Sequence, residues 1–209
     1  KTIRLDREGV NGINNFVGYY IYSENEIYIP NGMENIINIV DDSGKIVRKI
    51  VYESTSEGKL AIPFNCLSFP YTPMYLINGM LYFPQSPNMR LGDRIVEDSP
   101  VTLSLDTVKY SLRELNMKFP PIKSSMELRG SSLGVEMSYS QCYNGRDFIY
   151  SFFFDENIYV ASLSGVVEKK IRVKSRYVDK IYCDKKVPTD ITELVKTLCE
   201  IPMYGNLIY

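Results

Sequence analysis

The 209-residue chain contains no histidine and no tryptophan. The absence of histidine excludes His-based catalytic triads, His metal ligands and the usual proton shuttle near neutral pH. The four cysteines, Cys66, Cys142, Cys183 and Cys199, contain no CxxC pair. This spacing disfavours zinc, and the low cysteine content excludes a dense disulfide scaffold, which leaves free thiols or one disulfide in an oxidising compartment. We therefore predict no metal site, no cofactor and no assigned catalytic residue.

Neither positive nor negative charge is in excess, because the chain contains 24 Lys and Arg and 25 Asp and Glu, for a net charge of −1. Such a balance gives no general attraction to nucleic acid or to an anionic membrane, and we predict no nucleic-acid partner. Long apolar runs are also missing, so no transmembrane helix is predicted. What the chain has in abundance is tyrosine, with 17 residues beside 9 Phe. Tyrosine favours half-buried β-strands.

A strand pattern recurs along the chain. From Arg146 to Lys174 the sequence predicts three short strands, the last of which, Val166 to Lys174, alternates apolar and basic residues as a half-buried strand does. The stretch from Tyr19 to Tyr52 repeats the unit, and we match its Glu26–Ile29 to Asn157–Val160 and its Asp42-Ser43-Gly44 to Leu163-Ser164-Gly165. Between them, MYLINGMLYFP predicts another hairpin, with Asn78-Gly79 as its turn.

These repeats predict an all-β fold of three four-stranded propeller blades, at residues 16–70, 73–140 and 146–200. Lys1–Asp6 is predicted as the last strand of an earlier blade, and residues 203–209 as the first strand of a later one. One short helix is predicted at Thr189–Glu200 from its apolar spacing. Two arrangements remain open: a closed four-bladed ring, or a fragment of a longer propeller, which we favour.

Ligand-binding candidates follow from the blade pattern. Arg146 and Asp147 open the predicted first strand of the third blade, beside Tyr143, and the first strand of a blade lines the channel of a propeller. An Arg146–Asp147 pair that tethers neighbouring blades is the more ordinary interpretation. In the first blade, Tyr19, Tyr20 and Tyr22 hold the related position, where tyrosines stack on sugars or pack between blades.

Two further groups carry charge. Carboxylate pairs occur at Asp41-Asp42, Glu97-Asp98 and Asp155-Glu156, where turn formation is favoured over calcium binding or acid–base catalysis. A basic run extends through Lys169, Lys170, Arg172, Lys174, Arg176, Lys180, Lys185 and Lys186. We interpret this run as the solvated face of an outer strand, where cations prevent pairing with another sheet.

Several phrases resemble a known family. REGVNGI, ENEIYIP, DDSGKIVRKI and IPMYGNLIY are similar to segments of Bacteroidota envelope proteins of unknown function, usually lipoproteins expected to form six-bladed, TolB-like propellers. The resemblance implies a longer parent protein, export to the periplasm or cell envelope, and membrane attachment only through a lipid anchor outside this chain. It implies no catalytic residue.

The function predicted from these observations is a non-enzymatic, envelope-associated module that binds a protein or a glycan. The alternative is a propeller enzyme that acts on glycans through carboxylates and tyrosines. Two carboxylates about 5–10 Å apart at a channel mouth would favour the enzyme. Fold alone does not decide between them, because propellers support many activities.

Overall fold

A computed structural model of the protein describes residues 2–16, 18–31, 34–52, 65–66, 72–86, 100–120, 139–152 and 155–173, with Thr192 and Lys196. The described strands pair antiparallel in three sheets, each four strands across. The chain divides into two compact units, the first of residues 1–86 and 100–115, the second of residues 87–99 and 116–209. The prediction of an all-β chain of four-stranded meanders is confirmed.

Sheet A, the first sheet, is a meander of four strands in chain order. They are β1 (Tyr20–Ser23), β2 (Glu26–Pro30), β3 (Ile36–Val40) and β4 (Ile46–Val51). The predicted hairpin between β3 and β4 is confirmed: Gly44 has a φ of +87°, and Asp41 Oδ1 accepts bonds from the Ser43 and Lys45 amides at 2.9 and 3.1 Å. Glycine suits this turn because it has no Cβ to strain a left-handed backbone.

Sheet B, the second sheet, also belongs to the first unit. Its strands are β5 (Asn65–Cys66), β6 (Tyr75–Ile77), β7 (Met80–Ser86), β8 (Thr102–Asp106) and β9 (Leu112–Glu114). β5 and β6 pair with successive parts of one edge of β7, so the sheet is four strands across. The predicted turn between β6 and β7 is confirmed, because Asn78 and Gly79 both have positive φ, as a type I′ turn requires.

Sheets A and B pack face to face around one core. Sheet A contributes Tyr28, Ile37, Ile39, Ile50 and Tyr52, and sheet B contributes Leu81, Phe83, Leu103, Leu105 and Leu112, with Met74 just before β6. The rings of Tyr52 and Phe83 lie 5.4 Å apart. At the margin, Arg48 Nη1 donates to the Thr107 carbonyl oxygen at 3.4 Å.

The second face of sheet A is covered by the N-terminal segment. Ile27, Ile29 and Val40 form a cluster with Ile13, and Ile3 and Leu5 pack against it. β2 and β3 are therefore buried on both faces, which explains their nearly continuous apolar sequences, IYI and IINIV. The prediction that Lys1–Asp6 forms a strand is not met in the described part of the chain, where residues 2–6 join no sheet and pack on one instead.

Sheet C, in the second unit, is again a four-stranded meander. Its strands are β10 (Tyr139–Tyr143), β11 (Phe148–Phe152), β12 (Asn157–Ala161) and β13 (Val167–Arg172). The predicted first strand, which begins at Arg146, is wrong, because β10 precedes it. The match of Glu26–Ile29 to Asn157–Val160 is also wrong by one strand: the former lies on the second strand of its sheet and the latter on the third. Both strands begin with a polar residue followed by Ile, Tyr and a second β-branched apolar residue, EIYI in β2 and NIYV in β12, so the local sequence does not distinguish them.

The match between the two Ser-Gly turns is correct, because each turn joins the third strand of its sheet to the fourth. The outer strand of sheet C also forms where it is predicted, at β13. Its predicted half-burial is wrong, since every residue of β13 is exposed and Ile171 remains 38% accessible. Alternation predicts a strand, but burial also requires a layer that covers it.

The predicted helix Thr189–Glu200 lies almost wholly outside the described residues. Thr192 and Lys196, the two that are described, are helical and exposed. The predicted strand at 203–209 lies outside them as well. Among the described residues, no helix is long and apolar enough to cross a membrane.

Candidate functional site

The three residues predicted to bind a ligand lie together at the turn between β10 and β11. Asn144 Oδ1 accepts bonds from the Arg146 and Asp147 amides at 2.9 and 2.8 Å. Gly145 has a φ of +93°, and the Tyr143 hydroxyl donates to its carbonyl oxygen at 2.8 Å. The turn sequence thus positions all three side chains through local hydrogen bonds. Arg146 and Asp147 do not open the first strand of the sheet, as predicted, but link its first two strands.

The electrostatics of this turn favour a structural role. The Arg146 guanidinium lies 3.6 Å from Asp147 and 3.8 Å from Glu168 on β13, so its described ion pairs are within its own sheet. The predicted tether to a neighbouring blade is therefore not what these contacts form. The Arg146 side chain is 81% exposed, and ion pairs at such exposure contribute little to stability. Two carboxylates beside one cation leave no surplus positive charge for an anionic ligand.

A more distinctive surface occurs around β1 of sheet A. Phe16, Tyr19, Ile21 and Tyr22, which we call the aromatic edge, are each between 51% and 59% exposed. The rings of Phe16 and Tyr19 are stacked, with centroids 6.2 Å apart. Tyr20 differs, because its ring packs against Tyr28 and Tyr75 and its hydroxyl accepts a bond from the Leu76 amide at 3.4 Å.

Sequence reasoning found part of the aromatic edge. It named Tyr19 and Tyr22, but it added the inward Tyr20 and missed Phe16 and Ile21. Exposure of an apolar side chain leaves no signal in a strand pattern, since the same residue types fill a core. The sequence signal that could have indicated this surface is the absence of charge, because β1, whose sequence is YIYS, contains no charged residue.

Four of the described carboxylates, Glu26, Asp41, Asp106 and Asp155, have local structural partners. Donation from the Ser43 hydroxyl lowers the pKa of Asp41, and the amides of Lys109 and Val108 lower that of Asp106. A general acid needs the opposite shift. Glu26 accepts the Tyr28 hydroxyl, and Asp155 accepts the Tyr159 hydroxyl. Burial first, and then these carboxylates, raise the pKa of both tyrosines.

In the part of the chain that the structure describes, these carboxylates are not arranged as a metal site. No three Asp, Glu, Cys or His residues there are grouped as metal ligands. Glu97-Asp98 lies outside that part. Cys142 is a buried free thiol, and burial raises its pKa, which disfavours the reactive thiolate.

The basic run is described only up to Arg172. There, Arg172 Nε lies 2.8 Å from Glu156 Oε1, and Lys170 Nζ lies 5.1 Å from the centre of the Tyr159 ring. Both cations therefore have partners within sheet C, and strand β13 lies at the outer edge of its sheet. This arrangement agrees with a solvated outer strand. Lys174, Arg176, Lys180, Lys185 and Lys186 lie outside the described residues.

The sheets and their connections define an all-β protein built from successive antiparallel meanders. Residues 1–209 match the domain of unknown function DUF4221, and the chain belongs to this family. Among solved structures, a DUF4221 member from Bacteroides vulgatus is similar, with a TM-score of 0.66 and 17% identity over 86% of this chain and 49% of that one. BamB from Moraxella catarrhalis has a TM-score of 0.39 and 9% identity, over 83% of this chain and 54% of its own. No curated protein matches significantly.

The comparisons confirm the resemblance to a Bacteroidota family of unknown function. This chain spans about half the length of the similar DUF4221 structure. At 17% identity, that likeness shows a shared fold and nothing about a ligand. The lipid anchor, the envelope location and the six blades remain predictions.

Proposed function

We propose that this protein is a non-enzymatic binding module of the cell envelope, and that it binds an extended polypeptide at the aromatic edge. The observation that carries the proposal is the exposure of Phe16, Tyr19, Ile21 and Tyr22 on and beside an uncharged edge strand. Edge strands present free main-chain donors and acceptors, and natural proteins commonly protect them with charge. β4 and β13 carry such charges, whereas β1 does not.

An extended polypeptide fits this surface better than a compact ligand does. A strand added beside β1 would pair with its main chain, and the exposed side chains would give sequence preference. Tyrosine and phenylalanine provide large contact areas at little cost in side-chain entropy. The stacked Phe16–Tyr19 pair is partly ordered before binding, which lowers that cost further.

The test compares two variants against a phage-displayed library of random peptides. Tyr19→Ser combined with Tyr22→Ser removes two aromatic groups from the edge, and Val47→Ser removes an equally exposed apolar group from outer strand β4. We expect the double variant to lose at least about tenfold in affinity for the selected peptides, since aromatic anchors dominate such interfaces. Val47→Ser should bind as the unchanged protein does. Equal binding by the double variant, or no selected peptide at all, would overturn the proposal.

The enzyme alternative has a different readout. Turnover of polysaccharide by the full-length protein, abolished by substitution of a carboxylate, would establish it. Its support is weak among the described residues, because Asp41 and Asp106 are held ionised by turn hydrogen bonds. Glu26 and Asp155 instead accept bonds from tyrosine hydroxyls.

The proposal includes a longer, lipid-anchored parent protein in which the meanders are blades of a six-bladed propeller. Its support is the family resemblance and the packing of sheet B on one face of sheet A, as successive blades pack. The intact mass of the protein from its native source tests it. A mass near ~40 kDa, as six blades of ordinary length would give, with lipid attached, is expected. An unmodified mass of 24.1 kDa would overturn this part.

A further inference from the structure

The sequence contains four Asn-Gly pairs, at residues 11–12, 31–32, 78–79 and 144–145. An asparagine before a glycine is prone to spontaneous deamidation, because the glycine has no Cβ to hinder attack by its amide nitrogen on the side-chain carbonyl carbon. The attack requires a free glycine amide, a movable asparagine side chain and space for a five-membered ring. The four pairs differ in these requirements, so the structure distinguishes sites that look alike in sequence.

Two of the pairs are restrained by hydrogen bonds and by packing. The Gly12 amide donates to the Gly9 carbonyl oxygen at 3.0 Å, and a Cβ at Gly12 would lie 2.7 Å from the Glu8 carbonyl carbon. The attacking nitrogen is therefore engaged, and its surroundings are crowded. Asn31 is 6% exposed, and its Nδ2 donates to Glu34 Oε2 at 3.2 Å. Both arrangements oppose ring closure.

The pair at the β10–β11 turn is exposed, but its asparagine side chain is held in place. Asn144 Oδ1 accepts hydrogen bonds from the Arg146 and Asp147 amides at 2.9 and 2.8 Å. Ring closure at Asn144 must first break both bonds. The loss of two such bonds slows the reaction by about tenfold or more.

The pair at the β6–β7 turn meets all three requirements. Asn78 and Gly79 are both exposed. Among the described residues, neither the Asn78 side chain nor the Gly79 amide has a hydrogen-bond partner. A Cβ at Gly79 would meet nothing within 4 Å, so a ring has space to form there.

We infer that Asn78 is a site of spontaneous deamidation in the folded protein. The Gly79 nitrogen forms a bond to Asn78 Cγ, the bond from Cγ to Nδ2 breaks, and the amide group leaves as ammonia with the proton of the Gly79 amide. Water then adds across one of the two C–N bonds of the cyclic imide, which gives aspartate or isoaspartate at position 78. No oxidant or reductant is needed, and either product carries one additional negative charge.

The isoaspartate product also adds a methylene to the main chain of the turn. The Gly79 carbonyl oxygen accepts bonds from the Thr107 amide and hydroxyl at 3.1 and 3.0 Å. Before the turn, the Leu76 amide donates to the Tyr20 hydroxyl at 3.4 Å, which joins β6 to β1. A longer turn displaces Gly79 and weakens its bonds to Thr107. Deamidation therefore alters one margin of the core between sheets A and B.

The test incubates the protein at mildly alkaline pH, either folded or unfolded in guanidinium chloride, and locates deamidated residues by peptide mass spectrometry. In the folded protein, we expect deamidation at Asn78 to be at least about tenfold faster than at Asn144. In the unfolded chain the two rates should be similar, because both residues precede glycine. Asn78→Gln, whose side chain would have to form a larger ring, serves as the control and should give no product at position 78. No product at Asn78 of the folded protein, or a rate no faster than at Asn144, would overturn the inference.

Hydrogen exchange measures the effect on the turn. The deamidated protein is separated by its additional charge, and isoaspartate is identified in it by enzymatic methylation. The Thr107 amide should exchange at least about fivefold faster in the isoaspartate form, because its acceptor is displaced. Asn78→Asp adds the same charge to an ordinary main chain and should exchange as the unchanged protein does. Equal exchange in the isoaspartate form and in Asn78→Asp would contradict the displacement of Gly79.

Discussion

Sheets A and C are two copies of one meander in different surroundings. Their fourth strands are similar, IVRKIV in β4 and VEKKIR in β13. Yet Ile50 is fully buried, whereas Ile171 is 38% exposed. The difference arises from sheet B, which packs on sheet A and brings a second apolar layer. Burial of a strand is thus set by its neighbours in space as much as by its own sequence.

The largest expected effect is a difference in unfolding free energy between a variant of sheet A and the corresponding variant of sheet C. In the 209-residue chain, Ile50→Ala should cost about 2–5 kcal/mol of unfolding free energy, because it leaves a cavity in a packed core. Ile171→Ala should cost less than about 1 kcal/mol, as exposed substitutions do. Urea unfolding gives the change in unfolding free energy for each variant, and hydrogen exchange shows which sheet is destabilised. Similar costs would show that the two environments do not differ as described.

Tight turns give a second, smaller contrast. Gly44 in sheet A and Gly145 in sheet C both have positive φ, and alanine in this conformation costs about 1–2 kcal/mol. A Cβ at Gly44 would also lie 2.1 Å from the Arg4 carbonyl oxygen, whereas one at Gly145 meets nothing within 4 Å. Gly44→Ala should therefore cost about 1–3 kcal/mol more than Gly145→Ala, since the N-terminal segment must move.

The measurement is urea unfolding of both variants, with hydrogen exchange of the Ile13 amide, which donates to the Asp6 carbonyl oxygen of the N-terminal segment at 2.7 Å. Faster exchange of this amide is expected only in Gly44→Ala. Equal costs and unchanged exchange would mean that the segment does not pack on the turn in solution.

Local chemistry explains which features were predictable. The Asn78-Gly79 and Asp41–Gly44 turns follow from residues that tolerate or stabilise special backbone angles, so no distant contact is needed to predict them. β10 gives no clear strand pattern, because its sequence, YSQCY, places polar residues at its centre. Ser140 and Gln141 are nevertheless buried within it. The cover that buries them comes from tertiary packing, which the sequence pattern does not contain.

The same limit applies to the candidate sites. Tyr143, Arg146 and Asp147 were predicted as neighbours, and they are, because they are close in sequence. Their position at a turn is not predicted, because the sequence pattern does not predict strand β10, which precedes the turn. The aromatic edge was found only in part, because an exposed Phe16 and a buried phenylalanine look alike in sequence.

The smallest contrast concerns pH and the two turns before the fourth strands. The Asp41 and Ser162 amides donate to the Lys45 and Val166 carbonyl oxygens, both at 3.0 Å, so these positions correspond. Donation from the Ser43 hydroxyl, and then from the Lys45 and Ser43 amides, lowers the pKa of Asp41 from its ordinary value of 3.8. A carboxyl with a lowered pKa in the folded state stabilises its turn above the unfolded pKa, about 3.9. That contribution is lost as the pH falls through the lower, folded value.

Sheet C has no titrating group at this position, because a serine hydroxyl replaces the carboxylate. Between pH 6 and pH 2, exchange protection at the Gly44 amide should fall relative to an unfolded peptide, while that at the Gly165 amide should not change. Asp41→Ser gives sheet A the residue of sheet C and should remove the pH dependence while keeping the turn. If the Gly44 amide of this variant still lost protection at low pH, the dependence would arise from groups other than Asp41. The difference in pH dependence between the turns of sheets A and C would then come from residues outside the sheet A hairpin.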